Sequence, residues 1–115
     1  MTPVIENKTL DEYIHQYTYA GSYVDRREAI DFASKDKTNP RAAEFLVSTL
    51  RDRYHALRMM AIGRLDFSNE SVKSAASPIL AEMAKADPRR LVRAVAISKL
   101  GQLKDPAYSP LFKAA

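Results

Sequence analysis

The sequence predicts an all-α fold in which helix pairs repeat side by side, and two recurring patterns support this prediction. The pattern Arg-x-x-Ala, with an apolar residue four positions further on, occurs three times at intervals of 32 and 35 residues. Its copies are Arg26-Ala29-Ala33, Arg58-Ala61-Leu65 and Arg93-Ala96-Leu100. A bulky apolar pair recurs at intervals of 32, 34 and 32 residues, as Tyr13-Ile14, Phe45-Leu46, Ile79-Leu80 and Leu111-Phe112. A repeated unit that cannot bury its apolar face alone explains both registers, because its copies must stack.

Composition agrees with a helical domain. The 115 residues are 46% hydrophobic and 28% charged, which is typical of one soluble globular domain. Only three glycines occur, and no Asn-Gly or Asp-Gly signal predicts a hairpin. No segment approaches the roughly 18 apolar residues of a membrane span, so no membrane partner is expected. Without cysteine, thiol catalysis and thiolate metal sites are excluded.

Acid-proline and amide-proline steps mark predicted helix starts. Asn39-Pro40, Asp87-Pro88 and Asp105-Pro106 each offer a capping side chain followed by a proline that needs no amide partner. With the apolar spacing, they predict helices over 9–20, 23–34, 39–51, 53–66, 70–86, 88–101 and 105–115. These form units 9–34, 39–66 and 70–101, with a partial unit 105–115 holding one unpaired helix. We interpret residues 1–115 as a single repeat domain, a fragment of a longer protein.

Prolines and glycines leave some local questions open. Pro78 and Pro110 each follow a serine, and each either kinks the first helix of its unit or restarts it. Gly21 and Gly101 are expected where the chain leaves a helix with positive φ. Gly63 falls inside a helix, where it is expected to permit close approach of a neighbour.

The repeated arginines have two interpretations. On stacked helices Arg26, Arg58 and Arg93 would recur at one height, each bridging to a carboxylate or carbonyl of the adjacent unit. The small residues Ala29, Ala61 and Ala96 would let neighbouring helices pack closely. Alternatively, this row could follow a nucleic-acid backbone together with Arg51, Arg53, Arg89 and Arg90. Most tyrosines lie in the less basic N-terminal half, away from these arginines, so the structural interpretation is favoured.

Charge and the search for chemistry lead to a non-catalytic segment. Residues 1–50 hold eight acids and six bases, whereas residues 51–115 hold twelve bases and six acids. A solvated surface explains this imbalance better than a polyanion site, so nucleic acid is not the expected partner. His15 and His55 lack a second ligand at metal-binding spacing, and no phosphate loop or nucleophile motif occurs. No catalytic, cofactor-binding or metal-binding residue is predicted.

The Asp-Pro starts, the proline in a first helix and the second-helix run from Leu91 to Gly101 resemble the HEAT-like helical repeat family. The resemblance implies an α-α superhelix, a solenoid of about three helix pairs plus a final unpaired helix. The first unit departs from the pattern, because Asp25 stands where the other units have Leu57 and Val92.

The stretch from Gln16 to Ile30 is similar to the C-terminal helical repeats of some bacterial M1-family zinc aminopeptidases. That family's His-Glu-x-x-His motif has no counterpart here, so none of its catalytic residues carries over. The resemblance implies a non-catalytic accessory domain that binds protein, either an upstream catalytic domain or another partner. Self-association through Leu111 and Phe112 is a further expectation. The alternatives are a nucleic-acid-binding module and a free-standing scaffold. The stretch Met1 to Lys8 lacks a secretory h-region, as a cytosolic protein or an excised domain would.

Overall fold

The computed structural model describes residues 8–114, and every regular element in that range is a helix. The helices are α1 (Leu10–Tyr19), α2 (Tyr23–Lys35), α3 (Pro40–Ser48), α4 (His55–Arg64), α5 (Glu70–Ala86), α6 (Arg90–Gly101) and α7 (Ser109–Ala114). Short 3-10 turns at Thr49–Arg51 and Pro106–Tyr108 follow α3 and precede α7. The predicted all-α class is confirmed. The N-terminal stretch 1–7, for which no secretory signal is expected, lies outside the described residues. So does residue 115, the end of the last predicted helix.

Side-chain caps explain where most helices begin. At α1 the Thr9 hydroxyl accepts from the Glu12 amide at 3.2 Å, and the Glu12 carboxylate accepts from the Thr9 amide at 2.7 Å. This reciprocal pair satisfies two first-turn donors that the helix itself cannot. Polar side chains also cap α2, α3, α5 and the turn before α7, namely Ser22, Asn39, Asn69 and Asp105.

The predicted cap at Asp87-Pro88 is wrong. Helix α6 begins at Arg90, two residues later than expected, and Asp87 instead terminates α5. Its carboxylate accepts from the Arg89 amide at 2.9 Å and binds the distant Arg58 at 2.8 Å. Asp87 therefore pairs with Arg58 and does not cap α6.

The structure answers the question about Pro78 and contradicts the expectations for Gly101 and Gly63. Helix α5 runs unbroken past Pro78, so no second helix starts there. Gly21 has φ +76°, as expected, but Gly101 is the last residue of α6 and the positive φ falls at Lys104. The role predicted for Gly63 is wrong, because a Cβ added there would meet nothing within 4 Å.

The helices contact one another both within and between the predicted pairs. α1 packs on α2 and α5 packs on α6, while α3 and its 3-10 turn contact α4. Between pairs, α2 contacts α3 and α4, α4 contacts α6, and α5 contacts α3 and α7. The described chain measures 59 × 28 × 16 Å, longest by a factor of two in one direction.

Small residues are buried on the three second helices, in two clusters of core residues. Ala29, Ala61 and Ala96, on the three second helices, are each fully buried. The absence of a large side chain lets neighbouring helix backbones approach closely at these points. The largest fully buried side chains include Ile30, Leu50, Leu57, Ile62, Leu80, Val92 and Leu100. The same alanine position of each unit is therefore buried.

Candidate functional site

Three turns join the first and second helices of the pairs, and buried ion pairs link them. We call the turns at 20–22, 52–54 and 87–89 the turn edge. The Nε of Arg26, on α2, lies 3.0 Å from the Asp52 carboxylate in the next turn. The Nε and Nη2 of Arg58, on α4, lie 2.8 and 3.0 Å from the Asp87 carboxylate in the turn after that. We call these two pairs the arginine–aspartate ladder.

Each of the three repeated arginines also binds the turn before its own helix. Arg26 donates through Nη1 to the Gly21 carbonyl. Arg58 donates through Nη1 to the Asp52 carbonyl at 2.9 Å, and Arg93 does the same to the Asp87 carbonyl at 2.7 Å. One guanidinium thus binds both its own turn and the following one, as a planar fork with several donors allows. The three arginines make equivalent contacts to their own turns, and within residues 8–114 Arg26 and Arg58 also pair with an aspartate.

Asp52 accepts hydrogen bonds from other groups as well as from Arg26. Asp52 accepts from the Tyr54 amide at 2.8 Å and from the Tyr17 hydroxyl at 2.5 Å. Burial raises the pKa of the Asp52 carboxyl, but hydrogen bonds from Tyr17, Tyr54 and Arg26 outweigh it and hold the pKa below its usual range. Burial and the Asp52 carboxylate raise the pKa of Tyr17 well above its ordinary value.

Sequence reasoning missed the two aspartates as arginine partners. The sequence patterns do not point to Asp52, and they predict only a capping role for Asp87. A signal does exist, since an aspartate precedes both Arg58 and Arg93 by six residues. That spacing matches the hydrogen bond from each of these arginines to the carbonyl of its preceding aspartate.

Exposed aromatic rings lie on the same turn edge. Tyr23 and Tyr54 are 44% and 40% exposed, and their ring centroids are 5.3 Å apart in an edge-to-face arrangement. The His55 ring lies 4.8 Å from that of Tyr54. Arg53 reaches across with Nη2 donating to the Gly21 carbonyl at 2.9 Å. A small aromatic surface therefore lies beside an arginine.

The four arginines proposed as polyanion contacts are all exposed. Arg51 precedes the second turn and Arg53 lies within it, while Arg89 lies in the third turn and Arg90 begins α6. The separation of tyrosines from these arginines along the sequence does not hold in space, because Tyr54 follows Arg53 directly and contacts Tyr23. The turn edge therefore combines aromatic and basic side chains.

At the opposite ends of the second helices, the polar contacts between helix pairs are more exposed to solvent. Arg64, at the end of α4, binds Asp31 at 2.6 Å and the Ser34 hydroxyl at 2.7 Å. Lys99, near the end of α6, donates to the Leu65 carbonyl at 2.8 Å. We call these five residues the far edge. The Arg64 and Asp31 side chains are 38% and 37% exposed, against 6% and 1% for Arg26 and Asp52.

The two histidines lie apart from each other in the structure. His15 is exposed and packs against Tyr19 at 4.6 Å, in a different helix pair from His55. Within that range no three histidines or carboxylates are grouped to hold a metal ion. Nor does any described helix have the length and apolarity needed to cross a bilayer.

Comparison with known proteins adds no relative. The sequence matches no protein-family model, and no curated protein or solved structure is significantly similar to it. The role of the chain must therefore be inferred from its own residues.

Proposed function

We propose that this chain is a HEAT-like helical repeat domain, an α-α superhelix without catalytic activity, whose task is to bind protein. The repetition of one contact carries the proposal. Arg26–Asp52 and Arg58–Asp87 are the same ion pair one unit apart, each linking a second helix to the next turn. A stack built from copies of one module would produce this repetition, and such stacks present extended surfaces to partners.

We further propose that the domain is the C-terminal accessory part of an M1-type zinc aminopeptidase. The support is the stretch from Tyr23 to Ala29. Its arginine, Arg26, is committed to Asp52 and to the Gly21 carbonyl, which fits a scaffold better than a reaction centre. In that setting the domain would contact the catalytic domain upstream. A free-standing scaffold is the alternative without a peptidase.

Hydrogen exchange tests the protein-binding proposal. In the intact parent protein, amides on the surface that contacts the catalytic domain should exchange more slowly than in residues 1–115 alone. Peptidase activity, or a tightly bound zinc ion, in the 115-residue chain would contradict the non-catalytic assignment. A parent reading frame without an upstream His-Glu-x-x-His would refute the aminopeptidase part alone.

Nucleic-acid binding is a second candidate because the turn edge places Tyr23 and Tyr54 beside Arg53. Single-stranded nucleic acids bind to basic surfaces with aromatic rings on which bases stack. Fluorescence anisotropy with a labelled single strand, over a series of salt concentrations, tests this. Affinity that falls steeply with salt and is lost in Arg89→Glu with Arg90→Glu would support the candidate.

The matched control reverses two exposed lysines away from the turn edge, Lys37→Glu with Lys104→Glu. It changes the net charge by the same amount. Equal loss of binding in both double variants would indicate a nonspecific charge effect and would refute a site at the turn edge.

A further inference from the structure

The middle turn, residues 52–54, lies between the other two turns, and an aromatic surface lies on one side of it. The exposed rings of Tyr23 and Tyr54 meet edge to face, with centroids 5.3 Å apart and planes at 82°. The His55 ring lies 4.8 Å from that of Tyr54, with the planes at 69°. We call these three rings the aromatic corner. Two of them belong to the middle turn and its helix, and the third to the helix pair before it.

A groove lies on the other side of the same turn. It has a volume of about 360 Å³ and is bounded by residues of the turns at 52–54 and 87–89. Its apolar walls are the α5 residues Ile79, Met83 and Ala86, together with Pro88. Arg51 and Arg53 also line it. We call this space the middle groove.

The charges around the middle turn leave two arginines for a ligand. Both aspartates of the arginine–aspartate ladder already pair with arginines of the chain. Arg51 and Arg53 are exposed, and among residues 8–114 neither forms an ion pair. Arg53 donates through Nη2 to the Gly21 carbonyl at 2.9 Å, which holds its guanidinium between the first and middle turns. A carboxylate on a ligand complements these two cations.

The middle groove favours a peptide over a nucleic acid. The exposed residue Glu82 lines it, and within residues 8–114 this carboxylate forms no ion pair. A phosphate backbone, which carries a charge on every nucleotide, would be repelled there. The apolar walls instead suit an aliphatic side chain.

The aromatic corner and the spacing of the helices suit an extended peptide that contains proline. Proline-rich segments bind aromatic-lined grooves, and their extended backbone loses little entropy on binding. Neighbouring helices pack about 8–10 Å apart. An extended chain of this kind rises about 3.1 Å per residue, so about three residues cover that distance.

We propose that the middle turn binds an extended, acidic segment of a partner protein. A proline of the segment packs in the aromatic corner, and an aliphatic side chain about three residues away fills the middle groove. An acid between them binds Arg53, with Arg51 nearby. This inference rests on the proposed protein-binding function and specifies the chemistry of the partner.

A fluorescein-labelled peptide made of two copies of Pro-Pro-Glu-Leu serves as the probe. In either chain direction it places an acid between a proline and a leucine. The full 115-residue chain is titrated into it while fluorescence anisotropy is measured. A peptide with glutamine in place of glutamate should bind about fivefold more weakly, because an exposed charge pair is lost. A peptide with alanine in place of proline should also bind more weakly, because it loses the contact with the rings.

Two variants of the chain locate the site. Arg53→Gln should weaken binding about fivefold, and Tyr54→Ala about tenfold. The matched controls are Arg41→Gln, near the start of α3, and Tyr19→Ala, whose 73% exposed ring packs on His15. Both controls should bind as the wild type does. Circular dichroism checks the fold of each variant, and if Tyr54→Ala unfolds, the two peptides and Arg53→Gln still decide the question.

Three outcomes would refute the proposal. One is equal binding of the glutamate and glutamine peptides, and another is an equal loss of binding in Arg53→Gln and Arg41→Gln. The third is displacement of the probe by a strand of about ten thymidines at a lower concentration than unlabelled peptide requires. That result would assign the surface to a nucleic acid.

Failure of this site and failure of the proposed function can be told apart. If the glutamate and glutamine peptides bind equally while the intact parent protein still protects amides of residues 1–115 from exchange, protein binding stands and this site is wrong. If the peptides and variants behave as expected but the parent reading frame has no upstream His-Glu-x-x-His, the site stands and the aminopeptidase part is wrong.

Discussion

Arg58 and Asp87 lie 29 residues apart in sequence, yet the guanidinium binds both carboxylate oxygens, at 2.8 and 3.0 Å. The pair joins the second helix of one unit to the turn of the next. Its counterpart, Arg26 with Asp52, does the same one unit earlier. The contact between neighbouring units is therefore polar and directional as well as apolar, which fixes the register of one helix pair on the next.

Removing one partner of a ladder pair should destabilise the fold strongly. Asp52→Ala leaves the Arg26 guanidinium buried without its anion, at a cost of about 3 kcal/mol in the free energy of unfolding. Arg64→Ala breaks a half-exposed pair and should cost less than about 1 kcal/mol. Urea unfolding measures both. Similar losses of unfolding free energy in the two variants would show that the buried pair stabilises the fold no more than the half-exposed pair does.

Acid should destabilise the protein partly through Asp52. The pKa of this carboxyl is lowered in the folded state, so its contribution is present above the unfolded pKa of about 3.9 and is lost as pH falls below it. The free energy of unfolding of Asp52→Asn should therefore fall less between pH 5 and about pH 2 than that of the wild type. Parallel curves for the two proteins would contradict this assignment.

Alkali should act through Tyr17. Its pKa is raised in the folded state, so the contribution is complete below the unfolded value of about 10 and is lost as pH rises above it. Tyr17→Phe lowers stability at neutral pH by removing the hydrogen bond to Asp52, but it should flatten the loss above about pH 10. Thermal unfolding followed by circular dichroism from pH 8 to 11 measures this difference. An unchanged alkaline slope would rule out Tyr17 as its source.

The small residues of the second helices should not tolerate enlargement. Ala96→Leu adds a side chain at a fully buried position and should cost about 1–3 kcal/mol. Ala94→Leu, on the exposed side of the same helix, makes the same chemical change and should be nearly neutral. Denaturant midpoints of the two variants test the comparison. A neutral Ala96→Leu would mean that the neighbouring helices are not closely packed there.

Two glycines should respond oppositely to alanine. Gly63 lies in α4 with open space around it, so Gly63→Ala should stabilise the fold by about 0.5–1 kcal/mol. Gly21 has φ +76°, so Gly21→Ala should destabilise it by about 1 kcal/mol. Melting temperatures that move in opposite directions would meet this expectation. If Gly63→Ala instead destabilised the protein, a neighbouring helix would have to approach Gly63 closely, contrary to the structure.

Local patterns predicted the helices well, because caps and apolar spacing act within a few residues. Asn39 and Asp105 cap where expected, and α5 spans the predicted 70–86. The errors concern residues whose role depends on distant partners. Asp87 serves Arg58 across 29 residues, a contact that no local rule reveals. The role of Gly63 depended on which helix face is buried, and the face carrying Ala61 and Ile62 is the buried one.

The candidate site was predicted less completely than the fold. The repeated arginines were visible as a pattern, since they share a motif with buried alanines. Their aspartate partners could not be predicted. The six-residue spacing from an aspartate to an arginine indicates a contact only once the turn geometry is known. The aromatic surface at Tyr23 and Tyr54 was also invisible, because these residues belong to different units and meet only in the packed structure.

The difference between the two edges has a mechanical consequence. Arg26–Asp52 and Arg58–Asp87 act as buried tethers along one side, while the far edge depends on a half-exposed pair and a single lysine contact. Separation of neighbouring helices should therefore begin at the far edge, where the contacts are more exposed. The spacing of successive turns along the turn edge would stay constant while the far edge moves.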